Sequence, residues 1–198
     1  MTIQRIAGLL RKNAKRFKYE SPSSTLDEFF TRRPNTGLEK GHETFDNVRA
    51  TLAKIDELYL ARSEFQMEFH THILNGLAPF IYGPAYLPNL KKIKEYNNIT
   101  KVYRGVLFPA MRQAGKTEAM AMLIVALILN VANINIVVIA NSKTVLNKDS
   151  GLIARVKKIF RLFGREKFDS DNESHLNIRF DNGDERTLSC YSADKRNS

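Results

Sequence analysis

The segment Gly115-Lys116-Thr117 has residue types and an order that suit the binding of a phosphate chain. A glycine lets the backbone approach phosphate closely, and the amides at the start of a following helix face the anion. The Lys116 ammonium can reach the β- and γ-phosphates of a nucleoside triphosphate, while the Thr117 hydroxyl can ligate Mg²⁺. These residues therefore predict a nucleotide site at the end of a phosphate-binding loop.

The residues just before this segment, Arg112, Gln113 and Ala114, belong to the same predicted loop. The guanidinium of Arg112 can contact the γ-phosphate in cis and stabilise charge during phosphoryl transfer, as an arginine finger does. The alternative is a surface arginine that pairs with an acidic side chain. We regard Arg112 and Lys116 as the candidate catalytic residues. The glycine that usually opens such a loop is replaced by Ala110.

A loop of this kind needs a strand before it and a helix after it, and the apolar pattern predicts both. Strands alternate with helices here, which is typical of a parallel sheet covered by helices. The predicted order is a strand at Val102–Phe108, a buried helix at Thr117–Asn130, a continuously apolar, buried strand at Ile134–Ala140 and an amphipathic helix at Val145–Phe163. Alternating apolar residues then flank Asp181–Asp184, and they predict a terminal β-hairpin with an Asn-Gly turn.

The part of the chain before this loop is predicted to be mainly helical. Capping and periodicity predict a basic amphipathic helix in Met1–Lys18, a short helix after Ser24, a helix over Thr44–Tyr59 and a new helix start, with a capping box, at Ser63–Gln66. Loops are expected at Arg32–His42 and at Gly76–Pro88, where glycine and proline recur, with Lys91–Tyr96 extending the second connection. His70 and His72 would face different sides of a helix, so we expect surface histidines and no metal pair.

The chain has 198 residues, with 31 Lys+Arg against 21 Asp+Glu and a formal net charge of +10. This length allows one α/β domain, or a small domain with an N-terminal extension, and excludes a large multi-domain enzyme. The charge favours a polyanionic partner such as nucleic acid or an anionic membrane surface, and the alternative is that it only keeps the protein soluble. Cys190 is the single cysteine, which excludes an internal disulfide, so we expect an intracellular protein. No uninterrupted apolar run reaches the ~18–20 residues that cross a bilayer, and we expect no membrane partner.

The form Arg-Gln-Ala-Gly-Lys-Thr at residues 112–117, with Gly105–Phe108 before it, resembles the variant Walker A motif of the large terminase subunit. That subunit is the ATPase that packages DNA into the capsids of tailed phages and herpesviruses. Ile134–Ala140 with the polar turn after it resembles the family's second strand, and the terminal hairpin resembles the one before the family's Arg-Gly turn, with Arg196 at the arginine. Phe65-Gln66 resembles the aromatic-Gln element that reads adenine. The resemblance spans about residues 64–198.

The resemblance implies an ASCE-type P-loop NTPase fold, with ATP and Mg²⁺ as cofactors and Gln66 and residues 112–117 as nucleotide ligands. It implies that ATP hydrolysis moves double-stranded DNA into a procapsid inside an infected host cell, with the portal and the small terminase subunit as partners. We divide the chain into a helical, basic N-terminal extension at 1–62 and a partial ATPase domain at 63–198. The sequence ends before the family's Walker B acids and nuclease domain. We therefore expect a sheet that is incomplete at its C-terminal end, ATP binding without efficient turnover, and a missing half supplied by another chain or segment.

Four basic residues in and just beyond the helix predicted at Val145–Phe163 are candidate DNA contacts: Arg155, Lys158, Arg161 and Arg165. The alternative is the solvated face of an amphipathic helix. Two other functions stay open, a helicase-like P-loop translocase fragment and a non-catalytic DNA-binding or assembly factor on a truncated ATPase fold. A salt-sensitive DNA affinity that ATP does not change would favour the second of these.

Overall fold

The computed structural model describes residues 37–101, 115–140, 151–164, 168, 170–171, 174–181 and 183–192, which form a mixed α/β fold. The helices predicted in Met1–Lys18 and after Ser24, and the strand predicted at Val102–Phe108, lie outside the described residues. The same holds for the polar turn at 141–143 and for Arg196.

The described residues contain five α-helices. They are α1 (Leu38–Leu58), α2 (Glu64–Tyr82), α3 (Leu90–Asn97), α4 (Lys116–Asn130) and α5 (Leu152–Leu162), with a 3₁₀ turn at Gly83–Ala85 after α2. Helix α4 is apolar on nearly every side because α1, α2 and α5 all pack against it. The buried helix predicted at Thr117–Asn130 is therefore confirmed. In α5 the predicted apolar face is observed, since Leu152, Val156 and Ile159 are buried, but Gly151 is extended and the helix begins at Leu152, so the prediction of one helix over Val145–Phe163 is wrong at its start.

The strands form one sheet in the order β1 (Asn135–Ala140), β4 (Glu185–Ser192), β3 (His175–Arg179) and β2 (Ser170–Asp171). β1 and β4 are parallel, with Ile136 opposite Leu188, whereas β3 is antiparallel to both β4 and β2. The predicted terminal hairpin is confirmed as β3 and β4. Gly183 has a φ of +79° in its turn, a conformation that glycine adopts without strain.

The first helix begins earlier than the sequence predicts. Arg32–His42 was expected to be a loop, but α1 starts at Leu38. Gly41 lies inside this helix. Ring atoms of Tyr82 occupy the space that a Cβ at this position would fill, so a residue with a side chain would clash here. The glycine therefore permits close packing between α1 and α2, and the prediction of a loop through residue 42 is wrong.

The prediction of an irregular Gly76–Pro88 is also wrong over its first half. Helix α2 continues through Gly76 and Pro79 to Tyr82, and Lys91–Tyr96 lies in α3. A proline inside a helix costs about 3 kcal/mol. Burial of Leu74, Ile81 and Tyr82 on the inner face of α2 offsets that cost, because each large apolar side chain contributes about 1.5–3 kcal/mol. Packing of α2 therefore outweighs its local propensity.

Strand β1 is exposed on one side, contrary to the prediction of a fully buried strand. Val137 and Ile139 are 59% and 51% exposed, while Ile136 and Val138 pack against the core. The described elements cover only the face of β1 that Ile136 and Val138 share. An unbroken run of apolar residues therefore does not mean that both faces of this strand are buried.

Helix α1 contributes Phe45, Val48, Leu52 and Ile55 to the same core as α4 and the sheet. These side chains lie before residue 62, the boundary that we drew between the extension and the ATPase domain. The boundary stays a prediction.

Candidate phosphate-binding site

Gly115 stands at the N-cap of α4 in the left-handed conformation, with φ +69° and ψ +24°. Its carbonyl accepts the first helical hydrogen bond, from the Ala119 amide at 2.9 Å. An L-residue with a side chain is strained in this conformation, so the local geometry favours glycine. The N-cap makes no side-chain cap hydrogen bond. The start of α4 is thus a helix N-terminus that begins with glycine, a backbone form that can bind an anion.

Lys116 and Thr117 occupy the first two positions of α4. Lys116 is exposed and Thr117 is partly buried. This places an ammonium and a hydroxyl at the positive end of the helix dipole, where an anion is stabilised. Arg112, Gln113 and Ala114 lie outside the described residues.

Gln66 is brought directly to Gly115, although 49 residues separate them in the sequence. Its Nε2 donates to the Gly115 carbonyl oxygen at 3.2 Å. Its Oε1 accepts from the Ser63 backbone amide at 2.9 Å, and the Ser63 hydroxyl accepts from the Gln66 amide at 3.3 Å. The capping box predicted at Ser63–Gln66 is therefore confirmed, and the same glutamine links it to α4.

His70 contacts α4 one turn further along α2. Its Nε2 lies 2.8 Å from the Ala119 carbonyl oxygen and its Nδ1 lies 3.1 Å from a guanidinium nitrogen of Arg62. A carbonyl accepts and a guanidinium donates, so the ring is neutral with its proton on Nε2. The prediction of a surface histidine is wrong for His70, which is 1% exposed, and His72 is the more exposed of the two.

Electrostatics support the neutral form of His70. Burial lowers its pKa to about 4, the hydrogen bond to Ala119 opposes this, and the charge on Arg62 lowers it further. Arg62 is itself paired with Asp56 at 2.8 Å. Burial would raise the pKa of Asp56, but the hydrogen bonds and charge of Arg62 outweigh it and leave that pKa lowered.

Glu118, in the first turn of α4, is held by Tyr59, the C-cap residue of α1, and by Arg155 of α5. The Tyr59 hydroxyl donates to one carboxylate oxygen, and the Arg155 Nε donates to the other at 2.6 Å. Burial, together with the hydrogen bond to Glu118, raises the pKa of Tyr59 to about 12. An unpaired acid here would repel a phosphate, whereas Arg155 neutralises this one. The residues around Gly115 therefore fit an anionic ligand.

The predicted DNA-contact residues divide into three groups. Arg155 faces α4 through its ion pair with Glu118, and Lys158 places its ammonium 5.1 Å from the ring centroid of Tyr59. Arg161 is exposed in the last turn of α5, and Arg165 lies outside the described residues. Arg155 is thus tied to the first turn of α4, whereas Lys158 is exposed and lies against Tyr59.

Sequence reasoning did not identify Tyr59, His70 and Glu118 as part of this site. Glu118 directly follows the Gly-Lys-Thr segment, which is a local signal that an acid lies in the first turn of the helix. Tyr59 caps the end of α1 and His70 lies in α2, far from Glu118 in the sequence, so neither has such a signal.

Neither a protein-family model nor a curated protein matches this chain. Within the described ranges, no group of three or more His, Cys, Asp or Glu residues is arranged to hold a metal ion. No helix among these residues is long and apolar enough to cross a membrane.

Proposed function

We propose that this chain carries the ATP-binding part of a viral DNA-packaging motor, the N-terminal ATPase portion of a large terminase subunit. The observation that supports this most is the conformation of Gly115, left-handed at the start of a helix that opens with Lys116 and Thr117. The Arg-Gln-x-Gly-Lys-Thr form of the sequence points to this family of motors among P-loop proteins.

In this proposal Gly115–Thr117 bind the phosphates of ATP. Lys116 binds the β- and γ-phosphates, Thr117 ligates Mg²⁺ and Arg112 contacts the γ-phosphate. The Mg²⁺ ion would neutralise phosphate charge as the transferred group departs. The network around Glu118 keeps an acidic side chain in the first turn compatible with this ligand, because Arg155 pairs with it.

Double-stranded DNA is the polyanion that such a motor moves, and the net charge of +10 agrees with an anionic partner. Lys158 and Arg161 are the exposed candidate contacts on α5. The portal and the small terminase subunit are the protein partners that the proposal implies. Nucleotide-dependent DNA binding separates this motor from a non-catalytic DNA-binding factor, whose affinity would depend on salt alone.

The test measures the affinity of the full-length chain for ATP with Mg²⁺ by isothermal titration calorimetry. We expect Lys116→Ala to abolish the binding, because the ammonium supplies the main charge on the β- and γ-phosphates. Lys91→Ala is the matched control, since it removes the same charge from a side chain that is 91% exposed on α3. Equal ATP affinity in the wild type and Lys116→Ala would refute the site.

A further inference from the structure

We propose that Gln66 positions the phosphate-binding turn and does not read the nucleotide base, so that this site selects the triphosphate rather than adenine. The inference rests on the proposed nucleotide site. It departs from the role that the resemblance to terminases implies for this glutamine.

Both ends of the Gln66 amide bind backbone groups of the protein. Nε2 donates to the Gly115 carbonyl and Oε1 accepts from the Ser63 amide. A carbonyl oxygen can only accept and an amide N–H can only donate, so these partners fix which end of the side chain faces which. Gln66 is 5% exposed, which leaves its amide little access to a ligand.

Reading adenine requires an amide to present its N–H and its oxygen to one base edge together. Gln66 would have to leave both Ser63 and Gly115 to do so. That movement would break the capping box of α2, remove the side-chain acceptor of the Ser63 amide and remove the Gln66 hydrogen bond to the Gly115 carbonyl, which is unfavourable. The arrangement therefore favours a fixed side chain.

The position of Gln66 also explains how the turn is shaped. A Cβ on residue 115 would lie 2.7 Å from Gln66 Nε2, so the glutamine packs directly on the glycine. His70, on the next turn of α2, contacts the Ala119 carbonyl. The two side chains hold the first turn of α4 at two points, and a preorganised turn binds its ligand with a smaller loss of entropy.

The main test variant is Gln66→Glu. A glutamate at the third position of a capping box still accepts from the Ser63 amide, so the start of α2 is retained. It cannot donate to Gly115, and it adds a negative charge beside the phosphate site. Ser63→Ala is the matched structural control, because it removes the hydroxyl half of the cap and leaves the contact between Gln66 and Gly115 in place.

The experiment measures the affinity of the full-length chain for ATP, GTP and inorganic tripolyphosphate, each with Mg²⁺. We expect the wild type to bind ATP and GTP within about threefold of each other, since no base contact contributes. Gln66→Glu should weaken all three ligands by a common factor of about ten or more, the size expected when a hydrogen bond is lost and a like charge is added. Ser63→Ala should lower the melting temperature but keep each affinity within about twofold.

Several outcomes overturn the proposal. A wild-type preference for ATP over GTP of tenfold or more would assign base recognition to the site, and this measurement needs no variant. A loss in Gln66→Glu that is confined to ATP would identify Gln66 as the base-reading residue. Equal losses of ligand affinity in Gln66→Glu and Ser63→Ala would show that Gln66 acts only as part of the helix cap of α2. Failure of the wild type to bind any of the three ligands would instead remove the nucleotide site itself, and this inference with it.

Discussion

Acidification is expected to destabilise this protein through His70. The folded chain keeps the ring neutral because it is buried between α2 and α4 and its Nδ1 faces the Arg62 guanidinium. A second proton on the ring would sit on Nδ1, beside that positive charge. In the unfolded chain the ring is hydrated and takes up the proton at its ordinary pKa.

The size of the effect follows from the two pKa values. The folded pKa is about 4, below the ordinary 6.5. Between these values the unfolded state binds more protons than the folded state, so the free energy of unfolding falls as the pH falls. The contribution of His70 is full above pH 6.5 and is lost progressively down to about pH 4. Proton linkage with these two values gives a loss of about 2 kcal/mol between pH 7 and pH 5.

The assay is urea unfolding at 25 °C, at pH 7 and at pH 5, with far-UV circular dichroism as the signal. His70→Gln is the test variant because glutamine places an N–H near the former Nε2 position and does not titrate. Burial also lowers the pKa of His42, so the comparison uses the difference between variant and wild type, in which His42 cancels. The lowered pKa of Asp56 keeps that carboxyl out of this pH window.

The wild type should lose about 2 kcal/mol more than His70→Gln on going from pH 7 to pH 5. His72→Gln, a change at the more exposed neighbouring histidine, should behave as the wild type. An equal pH dependence in the wild type and His70→Gln would refute the neutral, buried ring. The slope of the free energy of unfolding against urea concentration should be the same in all three proteins, because the variants change stability and not the surface exposed on unfolding.

Two further predictions concern backbone geometry and buried charge. Gly115→Ala should be more destabilising than Gly183→Ala. Both glycines have a positive φ, which costs an alanine roughly 1–2 kcal/mol, but only the Cβ at residue 115 would press against Gln66 Nε2. Equal melting temperatures of the two variants would contradict this packing. Asp184→Ala should lower the free energy of unfolding by about 3–5 kcal/mol because it leaves the buried guanidinium of Arg186 without its carboxylate partner, with only the Ile128 carbonyl and the Phe180 ring beside it. Glu185→Ala, which removes an acid from an exposed ion pair on the same strand, should change it far less.

The elements with strong local signals were predictable from the sequence. The capping box at Ser63, the apolar helix α4 and the hairpin of β3 and β4 each depend on residues within a few positions of one another. Such signals act before tertiary packing forms, so the sequence alone identifies them.

The errors occurred where packing outweighs a local signal. Gly41 and Pro79 predict breaks in a helix, yet Gly41 accommodates the ring of Tyr82 and Pro79 lies in a helix whose inner face is buried. The exposure of Val137 and Ile139 likewise depends on which elements cover β1. A pattern of apolar residues gives the period of an element but not the number of its faces that are covered.

The same distinction explains which part of the candidate site the sequence revealed. Gly115, Lys116 and Thr117 are adjacent, so their chemistry is visible as a motif. Gln66 and His70 reach α4 across 49 residues, and their contacts depend on the angle at which α2 crosses it.

Buried polar contacts between α2 and α4 constrain these helices more tightly than apolar packing alone would. Apolar attraction has no preferred direction, whereas a hydrogen bond depends on distance and angle, and a buried polar group that loses its partner carries a desolvation penalty. Two such bonds, at Gly115 and at Ala119, fix both the position and the rotation of the first turn of α4. A site that binds phosphate through backbone amides needs that turn fixed, because the amides must point at one place. In the proposed phosphate site, the polar residues of α2 would therefore position the turn without touching the ligand.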